Sequence, residues 1–304
     1  MRSKNSPTAD HHVRNGVIYG IAAYGLWGLI PLYFKAVNNV KPVEVLAQRV
    51  LWSLLVLVLV LSVLQRWNAV WQTLRNRRLV LLLAVSGLLI AANWLTFIYA
   101  VMSNQVAEAS LGNFINPLAS VLLGALFLGE RLRPLQILSI ALAAVGVALC
   151  AAAMGTLPWI AVALPITFSL YGLMRKIIPV ESLVSLAVET LLLAPLAMGY
   201  LGYLIATQQA TGATAPTLGL LAISGPVTTV PLLFFGAAAR RLRLATLGIL
   251  LYITPSITLV LAVVFFREPF TRWDLISFVC IWAALALYTA DSLRARRPLD
   301  CWPG

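Results

Sequence analysis

The sequence predicts an all-α integral membrane protein with ten transmembrane helices, arranged as two inverted repeats of five helices each. Three observations predict this fold class. Of the 304 residues, 61% are hydrophobic and only 11% are charged, whereas soluble domains are about half apolar and a quarter charged. Several segments run for about 18 residues or more without a charge, which is long enough to cross a bilayer as a helix. The third observation is an internal repeat.

The repeat is clearest in two apolar segments that share one plan. Residues 109–131 have an Asn-x-x-Asn-Pro break near their start and a Gly-Glu-Arg end. The segment that begins at Ala245 has a Tyr-Ile-Thr-Pro break, a further apolar run and then Phe-Arg-Glu-Pro. In each segment a glutamate follows the proline of the break by thirteen residues: Glu130 follows Pro117, and Glu268 follows Pro255. These two glutamates are predicted to cap helix ends or to hold loops in place.

Ten spans are predicted, and they divide the chain into two repeats and two tails. Residues 1–15 form an N-terminal tail, 16–153 the first repeat, 158–291 the second, and 292–304 a C-terminal tail. The first apolar stretch is longer than the core of a signal peptide and lacks a small-x-small cleavage site, so it is the first span. The spans are 16–36, 45–64, 79–101, 106–128, 134–153, 158–174, 183–203, 217–238, 245–266 and 273–291.

Basic residues between the spans predict the orientation, because cytoplasmic loops carry an excess of Lys and Arg. With the N-terminus inside, seventeen basic residues fall on the inner side, and Arg49 lies within a span. Both termini are therefore predicted to face the cytoplasm. The outer side holds only four basic residues, which are Lys35, Lys41, Arg267 and Arg272.

The composition also excludes several functions. The net charge of +12 does not indicate nucleic-acid binding, because the basic residues form short clusters between apolar spans. Three cysteines and the adjacent His11 and His12 show no metal-ligand spacing and no disulfide framework, so no metal and no cofactor is predicted. No nucleotide-binding loop, nucleophile elbow or zinc-protease motif occurs, so ATP-driven transport and hydrolysis lack support.

Shorter motifs also match between the two halves. Pro42-Val-Glu before the second span recurs as Pro179-Val-Glu before the seventh, and Tyr24-Gly-Leu-Trp-Gly-Leu is echoed by Phe168-Ser-Leu-Tyr-Gly-Leu. With five spans per half, the second copy enters the membrane from the opposite side. Inverted repeats are typical of secondary transporters, whose sites lie near the midplane between the halves. Channels and some membrane enzymes also contain repeats, so those classes stay open.

The five-plus-five pattern, with Leu-Gly-Glu-Arg ending the fourth span, resembles the EamA family of the drug/metabolite transporter superfamily. The resemblance implies a bacterial inner-membrane permease that exports a small metabolite or drug-like solute by alternating access, from a cavity lined by spans 1, 3, 4, 6, 8 and 9. Position 48 is Gln where a His is expected. Further motifs are similar to one bacterial subgroup of that family: Trp27-Gly-x-x-Pro31-x-Tyr33-Phe-Lys35, Arg49-Val-x-Trp52-Ser, Asn93-Trp94, Glu108-Ala-Ser-Leu-Gly-x-Phe-Ile-Asn-Pro117, Tyr171-Gly-Leu-x-Arg175-Lys176, Glu189-Thr and Thr228-Thr-Val-Pro-Leu232.

Prolines inside the spans predict breaks that line a cavity. A proline removes the hydrogen bond to the carbonyl four residues earlier, and a freed carbonyl is tolerated at membrane depth only against protein or a water-filled cavity. Kinked packing without solute contact is an equal alternative. The prolines concerned are Pro31, Pro117, Pro231 and Pro255.

Polar and aromatic side chains in the same spans are candidate solute contacts. Small polar residues recur on one face of the third, fourth and ninth spans, and four aromatic residues are candidates for a cage around a cation or flat solute. Helix packing also uses small polar residues, and aromatic residues also act as interfacial anchors. The aromatic four are Trp27, Trp94, Tyr171 and Tyr252, and the other cavity candidates are Pro31, Asn93, Asn113, Asn116, Pro117, Thr254 and Pro255.

Charged residues inside or beside the spans are candidates for ion coupling or for structural pairs. Glu189 is the acidic residue placed well inside a span, and a carboxyl group buried in a membrane is a candidate proton carrier. The alternative is a structural ion pair. Depth along the helices disfavours a direct contact between Glu189 and Arg49. It favours Glu189 with Arg175 or Lys176, and Arg49 with Glu108.

The sequence therefore predicts a secondary transporter for a small-molecule solute, placed in a lipid bilayer, with protons as the candidate coupling ion. A non-enzymatic membrane adaptor or a channel is the first alternative. The second is a membrane enzyme that acts on lipid-linked substrates, which the lack of a convergent acid, base and nucleophile disfavours.

Overall fold

The structure is a computed structural model that describes residues 7–128, 132–155, 157–211, 214–239, 241–242 and 250–294. Every regular element in these ranges is helical, so the predicted all-α class is confirmed for this part of the chain. The helices are α1 (Pro7–Ala36), α2 (Pro42–Val63), α3 (Trp67–Arg75), α4 (Arg77–Met102), α5 (Val106–Leu128), α6 (Pro134–Met154), α7 (Trp159–Ile177), α8 (Ser182–Ala206), α9 (Ala215–Ala222), α10 (Ser224–Ala239), α11 (Ile253–Val260), which continues as a π-helical turn (Leu261–Phe265), and α12 (Arg272–Arg294).

Nine helical segments in the described ranges are long and apolar enough to cross a membrane, and α9 with α10 supplies one of them. The chain is therefore a multi-pass membrane protein. The predicted ninth span, 245–266, begins outside the described residues, and its described helical part, Ile253–Phe265, is shorter than the others. The count of ten spans stays a prediction for this reason.

Proline and glycine set several helix ends. Pro42 and Pro134 stand in the first turns of α2 and α6, where a missing amide has no intrahelical acceptor to lose. Gly155 follows α6 with a φ of 68°, the left-handed conformation that ends many helices. Pro226 lacks the amide that would bond to the carbonyl of Ala222, which accounts for the division of the eighth span into α9 and α10.

One helix, α3, is absent from the predicted spans. It has nine residues and is too short to cross a membrane. Val70 is buried, Trp67 and Leu74 pack against the same core cluster, and Trp71 is exposed. A search for long apolar runs misses such a helix because its apolar residues occupy one face only.

Several contacts between helices have a counterpart between the equivalent helices when the two predicted halves are interchanged. The second spans of the halves, α2 and α8, pack together. The contact of α1 with α10 has its counterpart in the contact of α7 with α4, and that of α5 with α7 in that of α11 with α1. Two related halves produce such an exchange of neighbours, which supports the inverted repeat, whose topology stays a prediction.

Two glycines lie where helices of opposite halves meet, and one of them is required for a close approach. A Cβ atom on Gly87 of α4 would lie 3.5 Å from the carbonyl oxygen of Glu189 in α8. A Cβ atom on Gly225 of α10 would lie only 2.7 Å from the carbonyl oxygen of Trp52 in α2. The backbone of α10 therefore lies directly on α2, with no room for a side chain between them.

Two glutamates from opposite halves cap the first turns of helices in the other half. Glu268 accepts hydrogen bonds from the amides of Val106 and Ala107 at 2.9 and 2.8 Å, at the start of α5. Glu108 accepts from two amides in the first turn of α7 at 2.9 and 3.2 Å. The first amides of a helix have no intrahelical partner, so a carboxylate there is stabilising. The predicted capping by Glu268 is confirmed, and Glu130 lies outside the described residues.

Candidate functional site

Glu189 is buried in α8 and is held by side chains from α4 and α7. Ser86 donates a hydrogen bond to its Oε1 at 2.7 Å, and Tyr171 donates to its Oε2 at 3.4 Å. Nη1 of Arg175 lies 3.6 Å from Oε1, so the predicted pair of Glu189 with Arg175 is confirmed. Because Ser86 belongs to the first half and the other groups to the second, this cluster joins the two halves.

The other predicted ion pair, Arg49 with Glu108, is wrong. Glu108 caps α7, and Nε of Arg49 donates to the hydroxyl of Thr228 in α10 at 2.9 Å. The guanidinium carbon lies 4.2 Å from the ring centroid of Trp94 and 5.9 Å from that of Phe34. Depth along the helix axis does not determine which helices are neighbours. Arg49 lies in α2, which packs against α8 and α10, whereas Glu108 lies in α5, which packs against α7 and α11.

The asparagine pair of α5 leaves one buried oxygen unpaired. Nδ2 of Asn116 is 3.4 Å from Oδ1 of Asn113, while Oδ1 of Asn116 has no hydrogen-bond partner among the described residues. The backbone carbonyl of Asn116 accepts from Ser169 of α7 at 3.3 Å. Pro117 therefore lies beside α7, and an amide oxygen stays available there. The predicted break does not interrupt the helix, because α5 continues through Pro117 from Val106 to Leu128.

Two other predicted polar residues are bonded to a neighbouring helix. Nδ2 of Asn93 donates to the carbonyl of Leu164 in α7 at 2.9 Å. The hydroxyl of Thr254 donates to the carbonyl of Tyr24 in α1 at 2.8 Å, and the carbonyl of Pro255 accepts from a serine of α5 at 2.8 Å. These contacts connect helices of opposite halves, so their first effect is on packing.

The four aromatic candidates have no ring contact with one another in the described structure. Each ring has neighbours of its own, and the predicted cage is not formed by direct ring packing. Trp27 packs with Tyr24 and Phe235, Tyr252 stacks on Phe114, Trp94 faces Arg49, and Tyr171 contacts Glu189.

An apolar groove of about 310 Å³ lies between α1 and α10. Its one polar lining residue, Tyr33, donates a hydrogen bond to the carbonyl of Leu220 at 3.2 Å. The groove is lined by Leu26, Leu29, Ile30, Tyr33, Pro226, Val227, Val230 and Pro231.

Pro31, another predicted cavity residue, is buried in α1. No cluster of three or more His, Cys, Asp or Glu that could hold a metal ion occurs among the described residues.

Four buried side-chain atoms in the described ranges have no hydrogen-bond partner. Buried polar groups are normally paired, and an unpaired one costs about 1–3 kcal/mol, so such atoms are candidate contacts for water or a solute. The first half contributes two of the four and the second half contributes two, which makes the interface between the halves the candidate site. The atoms are Ser53 Oγ in α2, Asn116 Oδ1 in α5, Arg175 Nη1 in α7 and Ser224 Oγ in α10.

Three serines at this interface, Ser53, Ser86 and Ser224, are absent from the predicted site. A signal for two of them does exist in the sequence. The same number of residues separates Ser86 from Ser224 and Pro117 from Pro255, so the two Ser-Gly pairs occupy equivalent positions of the repeat. Ser53 has no comparable signal, because a single serine within a span is common in helix packing.

Known proteins resemble the chain over nearly its full length. Residues 14–152 match the model of the EamA-like transporter family. The chain is 45% identical over 295 residues to an uncharacterized transporter of Pseudomonas aeruginosa, which covers 96% of this chain and 98% of that protein. It is 44% identical over 286 residues to the protein RarD of Salmonella typhimurium, with 93% and 97% covered. It is 40% identical to the uncharacterized transporter YojE of Bacillus subtilis, with 93% and 96% covered.

A solved crystal structure has the same fold. It aligns with a TM-score of 0.60 over 92% of this chain and 98% of that chain, at 22% sequence identity. At that identity the likeness shows the fold alone. The family match, together with relatives above 40% identity across almost the whole chain, confirms the resemblance based on the span motifs. The chain therefore belongs to the EamA-like transporter family, within the group of RarD proteins.

Proposed function

We propose that this transporter is a secondary carrier that exports a small metabolite or drug-like solute across the bacterial inner membrane by alternating access. The two halves, residues 16–153 and 158–291, rock against each other around a solute held between them, and the tails face the cytoplasm. The direction of transport and the inner membrane rest on the family resemblance. The orientation rests on the distribution of basic residues.

One observation carries the proposal, which is the set of buried side-chain atoms without a hydrogen bond among the described residues, to which both halves contribute equally. A site shared by two halves becomes accessible from either side when the halves change their relative orientation. The exchange of packing partners between the halves supports such a motion, because two alternative arrangements of related halves have similar contacts. A static membrane adaptor has no need of buried polar atoms without hydrogen bonds in its membrane helices.

We predict that a transported solute stabilises the purified protein and shows saturable counterflow in vesicles. The first measurement is thermal unfolding in detergent with amino acids, nucleosides, sugars and amphenicols. A solute present at 100 times its Kd adds about 2.7 kcal/mol of stability. The stabilising solute is then tested for counterflow after reconstitution. Both effects are expected to be lost in Trp27→Ala and in Asn116→Ala.

The matched control is Asn68→Ala, because Asn68 is exposed on α3 and is not one of the candidate solute contacts. This variant is expected to retain both stabilisation and counterflow. Flux that does not saturate and shows no counterflow would indicate a channel. Folded protein that no solute stabilises or crosses would indicate an adaptor.

We further propose that protons couple transport through Glu189. Protonation of this carboxyl group removes the charge that pairs with Arg175 at 3.6 Å, and it alters a contact between the two halves. Glu189→Gln is therefore expected to abolish solute flux driven by a pH gradient while solute exchange continues. The matched control is Glu181→Gln, because Glu181 is exposed. Driven flux that is unchanged in Glu189→Gln would remove the coupling role.

A further inference from the structure

Arg49 is the one buried basic side chain among the residues whose burial is described. It is 7% exposed and lies in the second turn of the apolar helix α2. Its guanidinium donates one hydrogen bond, from Nε to Thr228, and faces the ring of Trp94 at 4.2 Å. These neighbours hold the group in place, but none of them carries a negative charge.

No described carboxylate lies within ion-pair distance of Arg49. Glu44, the acidic residue nearest to it along α2, accepts a hydrogen bond from the amide of Thr211 at 3.1 Å. By contrast, Arg175 is paired with Glu189 at 3.6 Å. A buried cation without a counter-charge is costly in a membrane and is a functional candidate for that reason.

Two unpaired hydroxyl groups lie on the same helix faces as this cation. Ser53 follows Arg49 by one turn of α2, and Ser224 precedes Thr228 by one turn of α10. Both serines are at most 2% exposed, and neither Oγ atom makes a hydrogen bond of normal geometry in the described structure; the hydroxyl group of Tyr33 lies near that of Ser224. The close approach at Gly225 keeps these two faces together. The site thus combines a positive charge with two unused donors.

We propose that Arg49 binds the carboxylate group of the transported solute, with Ser53 and Ser224 as additional hydrogen-bond donors. The inference rests on the proposed function, because it specifies the chemical class of the solute. A guanidinium group matches the two oxygens of a carboxylate, and both Nη atoms of Arg49 have no hydrogen bond within the described residues. The solute therefore supplies a counter-charge that none of the described residues places beside Arg49.

The test uses the purified full chain and three carboxylates, each compared with its neutral amide at constant ionic strength. The probes are acetate, benzoate and phenylacetate, against acetamide, benzamide and phenylacetamide. Saturable thermal stabilisation by the carboxylates alone is expected. Arg49→Gln is expected to raise the Kd for the carboxylate at least about 30-fold. Arg66→Gln is the matched control, because Arg66 is exposed, and it is expected to leave the Kd unchanged.

The serine variants test the site independently of the folding of Arg49→Gln. Ser53→Ala and Ser224→Ala each remove a hydroxyl group without a partner, so the unfolding temperature without ligand is expected to be retained. Each is expected to raise the Kd for the carboxylate about tenfold. Equal stabilisation by carboxylates and amides overturns the inference. Carboxylate binding that is unchanged in both serine variants does so too.

Failure of this inference is distinguishable from failure of the proposed function. Saturable counterflow of a neutral solute that persists in Arg49→Gln would overturn the carboxylate site and leave the transporter proposal intact. Binding of a carboxylate through Arg49 without counterflow would support the site and overturn the transporter proposal.

Discussion

Replacing Glu189 by leucine is expected to lower the free energy of unfolding by about 1–3 kcal/mol, because the partly buried Arg175 loses its counter-charge. The carboxylate of Glu189 is 1% exposed and Arg175 is 19% exposed, so water screens this pair little. Ser86 also loses the acceptor that it bonds at 2.7 Å. The measurement is equilibrium unfolding in mixed detergent micelles, for the single variants and for the double variant.

The double variant, Glu189→Leu with Arg175→Leu, is expected to recover most of the lost stability, because two apolar side chains replace a buried ion pair at little or no cost. The pair of Arg66 with Glu181 is the matched control. Its groups are 3.7 Å apart and more than half exposed, so breaking it is expected to cost about 0–1 kcal/mol. Equal losses at the two pairs would contradict the burial argument.

Gly225→Ala is expected to destabilise the protein by about 1–3 kcal/mol through overpacking. The added methyl group meets the carbonyl oxygen of Trp52 at 2.7 Å, and neither backbone can move without separating α10 from α2. The measurement is the same unfolding experiment, together with the affinity for any solute found by thermal stabilisation.

Gly219→Ala is the control from the same span, because nothing lies within 4 Å of the position of its new Cβ atom. Alanine favours a helix by about 1 kcal/mol over glycine, so this variant is expected to be neutral or stabilising. Gly87→Ala is expected to be milder than Gly225→Ala, since its nearest neighbour lies at 3.5 Å. A neutral Gly225→Ala would show that α2 and α10 separate easily.

The spans were predictable from the sequence, because an apolar segment long enough to cross a bilayer indicates a transmembrane helix. Comparing the depths of charged residues in the membrane correctly predicted the pair of Glu189 with Arg175, since the two residues lie near the same end of consecutive spans. The same reasoning failed for Arg49, whose partner Thr228 is neutral and lies in a distant span. The short helix α3 was missed because it has only nine residues, and a search for long apolar runs does not detect a helix of that length.

The candidate site was only partly predictable. Asn116 was identified from its position beside Pro117, and its oxygen is indeed unpaired among the described residues. Ser53 and Ser224 were not identified, because absence of a partner is a property of the packed structure. A hydroxyl group in a span usually bonds to its own helix, as Thr228 does with the carbonyl of Ser224. Sequence alone does not show which hydroxyl groups bond to their own helix and which have no acceptor.

The reciprocal caps formed by Glu108 and Glu268 act as a latch on one end of the molecule. Each half contributes a carboxylate to the other, and the two together hold four backbone amides. If the halves part at this end, all four amides lose their carboxylate acceptors together. The latch therefore favours a resting conformation that is closed at the starts of α5 and α7, and release of this end is an all-or-none event.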